Sequence, residues 1–451
     1  MSDTERKSFA ASDSPHHPVW MESLYERLAE DDEGRVCKAI SDEACRESPG
    51  NFVRTLVANA LSNVSDRIAS AKTTLPWILG ALGAPAWCLS LLVPIRESGS
   101  MLPQMFIGAA VRARAVRKGV WVAGGTVQAA CLAAMAVVAL SLEGLAAGLA
   151  ILALLTLFSL ARGACSVAYK DVLGKTIPKT RRGRLSGWIS SFAGFATMAT
   201  GGVLTLLPDS GGLGLYAGLL LVAAGLWLAA AGAYSRIVEY PGATEGGANG
   251  FTEAMARLSL LRDDALFRRF VVARALAMGS GLAAPFYVAL ARDELGSAAL
   301  LLGIFIAVEG LAALVSSPIW GRWSDRSSRL VFSAACALAG VLSIVVAAWS
   351  WADLPMAAAQ WFYPLAFFGL GVAHAGVRLG RKTYLVDMAE GNLRTDYVAV
   401  SNSVIGLLLL ATGVVGAIAA TFSVEATVAL LGLAGLIGAV IGRNLREVSE
   451  G

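Results

Sequence analysis

Several ionisable side chains lie within long apolar stretches of this 451-residue chain. Such groups are costly in an apolar environment and usually face a cavity or a partner of opposite charge. Between residues 52 and 80, polar residues follow one another at spacings of 4, 3, 4 and 3, which predicts a polar stripe on one helical face. These residues are Asn59, Asn63, Asp66, Ser70 and Thr73. The stripe either lines a cavity, with Asp66 binding a proton or cation, or forms a hydrogen-bonded contact between helices.

Charged residues in later apolar stretches extend this candidate site. Arg96 and Glu97 are adjacent, so on a helix they point about 100° apart and should have different partners. Arg96 could bind an anionic group of a ligand or pair with Asp66. Glu309 could exchange a proton, because burial favours the neutral form of a carboxyl group, or it could pair with Arg274.

A third group lies between residues 357 and 380 and just beyond. His374, Arg378 and Arg381 have spacings of 4 and 3 and therefore share a helical face. The two arginines could extend to lipid phosphates, and His374 could join a helix contact or relay a proton. Three cations of the apolar stretches together favour an anionic or zwitterionic ligand. They are Arg96, Arg162 and Arg274.

The composition indicates which elements must position these residues. Hydrophobic residues make up 56% of the chain and charged residues 16%, against about 25% charged residues in soluble domains. A membrane-spanning helix needs roughly 20 apolar residues. Twelve segments meet that length and predict an all-α membrane protein with twelve transmembrane helices. They are 52–80, 85–107, 119–141, 144–168, 186–207, 213–234, 267–291, 298–318, 330–351, 357–380, 398–420 and 425–442.

Basic residues alternate between the connections that join these segments. The even-numbered connections, with the adjoining helix ends, hold 22 Lys and Arg residues, whereas the odd-numbered connections hold one, Arg292. Positive charge is retained on the cytoplasmic side of a membrane. The pattern therefore predicts a multi-pass protein of a bacterial-type inner membrane with both termini in the cytoplasm.

The chain also repeats itself at an offset of 213 residues, which predicts two related six-helix bundles. The matching pairs are Leu82-Gly83 with Leu295-Gly296, Gly108 with Gly321, Gly163 with Gly376, and Arg181 with Arg394. The same offset pairs Arg96 with Glu309, a charge reversal that indicates an asymmetric central site. The predicted units are a tail of residues 1–50, a bundle of 51–234, a linker of 235–266, a bundle of 267–443 and a tail of 444–451. We expect an amphipathic helix over 19–46 and a short surface helix near 251–262.

The connection after the eighth segment contains a distinctive motif. It has Gly321, the pair Asp325-Arg326 four residues later, and Arg329. Glycine permits a tight turn, and arginines can pair with carboxylates of the neighbouring half. This pattern resembles the loop motif of the major facilitator superfamily (MFS). The resemblance implies a gate on the cytoplasmic side and a fold of two pseudo-symmetric six-helix bundles.

The first-half counterpart of the motif departs from the MFS pattern. It keeps Gly108 but has Arg112 where the superfamily usually has Asp. The Arg162-Gly163 pair lies in the fourth segment, where the superfamily often carries an Arg. The fifth segment lacks the Gly-Pro ending that is usual in drug/proton antiporters of the superfamily, which disfavours drug efflux.

The resemblance implies a secondary transporter that moves a small solute by alternating access and is coupled to protons. One alternative is a receptor, scaffold or assembly factor that keeps the fold without transporting. Another is a drug efflux antiporter. A membrane enzyme is disfavoured, because the sequence has no nucleophile–base set and no phosphate-binding loop. We expect a monomer in the lipid bilayer, with no cofactor, no metal and no nucleic-acid partner.

Overall fold

The computed structural model describes most of the chain. The described residues are 17–29, 40–102, 110–111, 113–206, 212–242, 244, 257–296, 298–324, 326–352, 356–388 and 391–448, without the side chains of 317, 356, 357, 391–396 and 399. Gly108, Arg112 and Asp325 of the predicted gate motifs lie outside the described residues, as does the side chain of Arg394.

Eighteen helices make up the described part of the chain. In order, they are α1 (Val19–Ala29), α2 (Asp42–Arg46), α3 (Ser48–Ile68), α4 (Thr74–Ala81), α5 (Trp87–Met101), α6 (Lys118–Ser141), α7 (Gly144–Thr176), α8 (Lys179–Thr205), α9 (Gly212–Ser235), α10 (Leu260–Asp263), α11 (Ala265–Leu276), α12 (Gly279–Leu282), α13 (Ala284–Leu295), α14 (Ala299–Ser324), α15 (Ser328–Trp351), α16 (Met356–Asp387), α17 (Gly391–Ala420) and α18 (Val424–Arg443).

Twelve spanning segments are formed by these helices, as predicted. Nine stretches of the described chain are long and apolar enough to cross a membrane by length and composition, with α11 to α13 counted as one stretch. The other three segments are α3 with α4, α5, and α8, which occupy the predicted first, second and fifth positions. These three carry more polar side chains, because they contribute charged and hydroxyl groups to the protein interior.

The two halves repeat the same packing. In the first half α5 packs on α7, and α6 on α9; in the second half α14 packs on α16, and α15 on α18. The halves meet most extensively where α8 packs on α14 and α5 packs on α17, and α4 also contacts α13. Gly83 and Gly296, which the sequence repeat matches, both have a positive φ, 67° and 88°, after the helices that end at Ala81 and Leu295. The prediction of two pseudo-symmetric six-helix bundles is thus confirmed.

The first helix of each half is broken, which differs from the continuous segments predicted there. The first segment leaves helical geometry between Ile68 and Thr74, and the seventh segment is divided into α11, α12 and α13. Asn59, Asn63 and Asp66 therefore lie on α3, whereas Ser70 and Thr73 lie beyond its end. The prediction that all five residues share a face of one helix is wrong. Interrupted helices at matching positions of two repeats are where transporters commonly build binding sites.

The N-terminal region differs from the single helix predicted over 19–46. It forms α1 and α2, with residues 30–39 outside the described part, and Pro49-Gly50 begins α3 instead of ending the preceding helix. One face of α1 packs on α3 and α8, where Tyr25 meets Phe52 edge to face at a ring distance of 5.2 Å. This helix thus docks on the bundle. The helix expected near 251–262 is α10, and residues 251–256 lie outside the described part.

Candidate functional site

A cavity of about 110 Å³ lies between the two halves, beside the helix breaks. Five spanning segments line it: the first, second, seventh, tenth and eleventh. Its apolar wall includes Val93, Met101 and Leu409. The ionisable residues that line it are Lys72, Glu97, Arg274, His374, Arg378 and Arg381. All of these except Lys72 are predicted by the sequence, so the structure brings five predicted residues together in this cavity.

Arg274 is the most deeply buried cation of the cavity, with 5% of the residue exposed. Its Nη1 donates to Ser401 Oγ at 2.6 Å, and its Nη2 donates to Asn402 Oδ1 at 2.9 Å. Among the described residues, none accepts a hydrogen bond from Nε, and no carboxylate forms an ion pair with this guanidinium group. The predicted alternative of an Arg274–Glu309 pair is wrong.

Glu309 instead connects the two halves beside the cavity. Its Oε1 accepts a hydrogen bond from Arg67 Nη1 of α3 at 3.3 Å. Its Oε2 accepts weaker hydrogen bonds from Ser70 at 3.4 Å and from Thr73 at 3.5 Å, both in the break of the first segment. The charges of Lys72 and Arg378 also act on this network. Because Glu309 belongs to the second half and its partners to the first, any separation of the halves must break these contacts.

Asp66 forms a separate ionic cluster inside the first half. Its two carboxylate oxygens pair with Arg96 Nη2 at 3.2 Å and with Arg162 Nη2 at 2.6 Å. The guanidinium groups also lie over aromatic rings, Arg96 above Phe158 at 4.9 Å and Arg162 above Trp227 at 5.3 Å. The cluster matches the predicted pairing of Arg96 with Asp66, and it adds Arg162. As expected for adjacent helical residues, Arg96 faces this cluster whereas Glu97 faces the cavity.

The other predicted polar residues have more local contacts. Asn59 donates from Nδ2 to the carbonyl of Thr55 in its own helix at 2.9 Å. Asn63 is half-buried on the same helix. His374 Nδ1 lies 3.2 Å from Ser280 Oγ across a contact between the tenth and seventh segments. His374 thus takes part in a helix contact and also lines the cavity.

The second-half loop motif is built differently from the prediction. Gly321 lies within α14, which continues to Ser324, and a Cβ atom on it would meet open space. Arg326 is exposed. Arg329 pairs with Glu447, Nε to Oε2 at 3.3 Å, and Nη1 donates to the carbonyl of Leu445 at 2.9 Å. This arginine therefore ties α15 to the segment after α18 in its own half, not to a carboxylate of the neighbouring half.

The close contacts between α8 and α14 lie towards the end opposite the basic connections. A Cβ atom on Gly201 of α8 would lie 2.3 Å from the backbone nitrogen of Ala307 in α14. The α5–α17 interface is closely packed along α5: a Cβ atom on Gly416 of α17 would lie 3.5 Å from Ser90 Cβ, and one on Gly406 would lie 2.9 Å from Leu102 Cδ2. Towards the basic end of α8, by contrast, Gly187 has no atom within 4 Å of such a Cβ position. Among the described glycines of α8, those that lie close to α14 are therefore distant from the basic end of the helix.

Sequence reasoning missed Lys72 and Arg67 as site residues. Arg67 lies just before the break of the first segment and Lys72 lies within it, whereas the hydropathy pattern joined this segment into one helix. The signal available was the polar run Ser70-Ala71-Lys72-Thr73-Thr74 followed by Pro76, because a cluster of hydroxyl residues ahead of a proline favours an interrupted helix. A matching signal in the second half is Gly279-Ser280-Gly281 with Pro285.

Comparison with known proteins yields one curated relative. No protein-family model matches the chain. The chain is 27% identical over 183 residues to the class E tetracycline resistance protein of Escherichia coli. The match covers 39% of this chain and 43% of that relative, so less than half of the relative's length is spanned.

Solved structures match nearly the whole chain. The nucleoside transporter NupG superposes with a TM-score of 0.64 at 13% identity, covering 87% of this chain and 97% of that one. A D-xylose–proton symporter gives a TM-score of 0.64 at 12% identity, covering 89% and 98%. A POT family transporter in complex with 5-aminolevulinic acid gives 0.63 at 11%, covering 86% and 94%. The chain therefore has the fold of MFS transporters, and these structural neighbours are transporters, not enzymes.

Proposed function

We propose that this multi-pass membrane protein is a secondary transporter that carries a small anionic or zwitterionic solute by alternating access. The observation that carries the proposal is the cationic cavity, which residues of both halves line at two broken helices. The two bundles, residues 51–234 and 267–443, would rock about this site. A cavity of about 110 Å³ is small beside the roughly 300–1,000 Å³ of pockets for drug-sized ligands, which favours a compact solute.

The contacts of α8 with α14, and of the seventh segment with the first, support an inward-facing conformation. Arg292 of the seventh segment lies within 2.7 Å of a Cβ position on Gly80 and above the ring of Trp77 at 6.0 Å, at the end remote from the basic connections. The basic end would be cytoplasmic by the distribution of Lys and Arg, with both termini on that side of an inner membrane. In the opposite conformation the contacts of Gly201 and Ser90 would open, and the basic ends of α8 and α14 would approach each other.

Glu309 is the better placed of the two candidate proton sites. It lies at the junction of the halves and contacts Arg67, Ser70 and Thr73, all of which it must release when the halves separate. Asp66, held by two guanidinium groups within one half, has contacts that no movement between halves would change. Protonation of Glu309 would weaken the cross-half contact and so couple proton movement to the conformational change.

We expect Glu309→Gln to abolish the stimulation of uptake by a pH gradient and to leave solute exchange measurable. Glutamine can still hydrogen-bond to the hydroxyl groups but cannot ionise. The measurement is uptake by proteoliposomes with and without the gradient. Glu143→Gln, the same change at an exposed position, should behave as the unmodified protein. Unchanged stimulation in Glu309→Gln would contradict proton coupling through this residue.

Drug efflux is a second candidate, because the curated relative is a tetracycline resistance protein. A non-transporting receptor or scaffold is a third possibility and predicts no flux at all. Proteoliposome flux of labelled succinate, inorganic phosphate, alanine, xylose, uridine and tetracycline distinguishes the three. The proposal requires flux of succinate, phosphate or alanine. Flux of xylose or uridine alone would contradict the proposed solute class, flux of tetracycline alone would support drug efflux, and absence of flux would support the receptor.

A further inference from the structure

Positive charge exceeds negative charge around the cavity. Four cationic side chains line it, Lys72, Arg274, Arg378 and Arg381, against the carboxylate of Glu97. Including the adjacent Arg67–Glu309 pair adds one charge of each sign, so the described residues leave an excess of three positive charges. Arg274 is buried, Lys72 and Arg381 are half-buried, and Arg378 is exposed. Because uncompensated buried charge is costly unless a partner neutralises it, the cavity favours a ligand that supplies negative charge.

We propose that the ligand is a compact dianion, a dicarboxylate or a phosphoryl compound, that binds through Arg274 and Arg381. This inference rests on the proposed transport function, whose solute it specifies. A monoanion would leave two positive charges unmatched, whereas a dianion leaves one. A dianion of either class also has several charged oxygen atoms that can accept from two guanidinium groups, which suits forked donors.

Arg274 is already oriented to bind an anion. Ser401 and Asn402 of α17 each fix one terminal nitrogen of its guanidinium group. Its Nε is buried with no acceptor among the described residues. Arg274 is repelled by another cation of the same cavity, Arg381. Two guanidinium groups of one cavity, one of them buried and held in place, can therefore donate hydrogen bonds to the same anion.

The distribution of carboxylates argues against a zwitterion. A substrate ammonium group would need a carboxylate partner. Among the described residues, Glu97 is the carboxylate that lines the cavity. Glu97 already interacts electrostatically with three cations, Lys72, Arg378 and Arg381. Glu309 is likewise engaged by Arg67. Neither carboxylate is available for a cationic group without exposing the cations that it neutralises.

The test is ligand-induced thermal stabilisation of the purified protein. Succinate is compared with succinamate, which has the same number of heavy atoms but one negative charge, and with inorganic phosphate and xylose, all at constant ionic strength. A ligand that binds the folded state raises its melting temperature. We expect succinate or phosphate to bind at least about tenfold more tightly than succinamate, and xylose to have no effect. The comparison of succinate with phosphate distinguishes a dicarboxylate from a phosphoryl ligand.

Variants assign the binding to the two arginines. Arg274→Gln should weaken dianion binding at least about tenfold and should raise the melting temperature without ligand, because it removes an unmatched buried charge. Arg381→Gln should weaken binding in the same way. Arg322→Gln, at an exposed position of α14, should change neither property. Equal stabilisation by succinate and succinamate, no response to either dianion, or full dianion binding in both cavity variants would overturn the proposal.

This outcome is separable from that of the transport proposal. If proteoliposomes move xylose or uridine while dianions do not bind, the proposed substrate class is wrong and transport stands. If dianions bind through Arg274 and no solute crosses the membrane, the site is correct and the transport function is wrong.

Discussion

Replacing Gly201 with leucine should reduce solute flux at least about a hundredfold. A Cβ atom at this position would lie 2.3 Å from the nitrogen and 2.7 Å from the Cα of Ala307, and 2.7 Å from the carbonyl oxygen of Gly303. All three are backbone atoms of α14, which cannot rotate away. Overpacking usually costs about 1–3 kcal/mol even where side chains can adjust. About 3 kcal/mol is enough to lower the population of the observed conformation roughly a hundredfold relative to the alternative.

The neighbouring glycine supplies a matched control for this prediction. A Cβ atom on Gly202 would have no atom within 4 Å, so Gly202→Leu should keep normal flux. A second readout needs no solute: in cysteine variants of Ser90 and Gly416, the yield of the disulfide between the halves should fall when Gly201→Leu is added. Normal flux and normal disulfide yield in Gly201→Leu would show that the contact between α8 and α14 is not needed for transport.

The substitution Asp66→Asn should lower the free energy of unfolding by about 3 kcal/mol. It leaves the guanidinium groups of Arg96 and Arg162 without their carboxylate. Breaking a buried pair by removing one partner costs roughly 3–5 kcal/mol. The lower end applies because the two arginine side chains are 19% and 26% exposed. Reversible denaturation in detergent micelles measures the change.

Two comparisons make this stability prediction specific. Asp171 pairs with Arg117 at 3.1 Å, and the aspartate side chain is 31% exposed. Because Arg117 keeps its hydrogen bond to the carbonyl of Arg114 without this aspartate, Asp171→Asn should cost less than Asp66→Asn. Adding Arg96→Gln and Arg162→Gln to Asp66→Asn should recover part of the lost stability. If Asp66→Asn keeps full stability but loses the response to a pH gradient, Asp66 is a proton site and not a structural counter-charge.

Hydropathy, charge alternation and the internal repeat were sufficient to predict the twelve spanning segments and their duplication. These signals are additive along the chain: each helix needs about 20 apolar residues, and each connection carries its own Lys and Arg residues. The offset of 213 residues, marked by Gly83 and Gly296, appears in the structure as two equivalent chain reversals with positive φ. Such local signals do not depend on which helices are neighbours.

The site was predicted less completely because it depends on contacts between distant segments. The sequence alone left Glu309 paired with Arg274 as an open alternative; in the structure Glu309 meets Arg67, and Arg274 meets Ser401 and Asn402. Periodicity was extrapolated through the break after Ile68, so Lys72 was overlooked. Ion pairing is set by three-dimensional packing, and helical spacing describes only one helix at a time.

The most direct test of alternating access is solute flux through a protein whose halves are covalently joined at the end opposite the basic connections. In a background without the native cysteines, Ser90→Cys and Gly416→Cys place two Cβ atoms about 3.5 Å apart, within the roughly 3.5–4.5 Å of disulfides. The control joins two helices of one half, Gly148→Cys with Cys88 retained, where the corresponding distance is 3.9 Å. Proteoliposome flux is measured for succinate, inorganic phosphate, xylose and uridine before and after reduction.

We predict that the oxidised Ser90/Gly416 pair blocks flux of the transported solute and that reduction restores it, whereas the Gly148/Cys88 pair leaves flux unchanged in both states. Movement at the joined end would then be required for transport. Equal flux in the oxidised and reduced Ser90/Gly416 protein would contradict alternating access about this cavity.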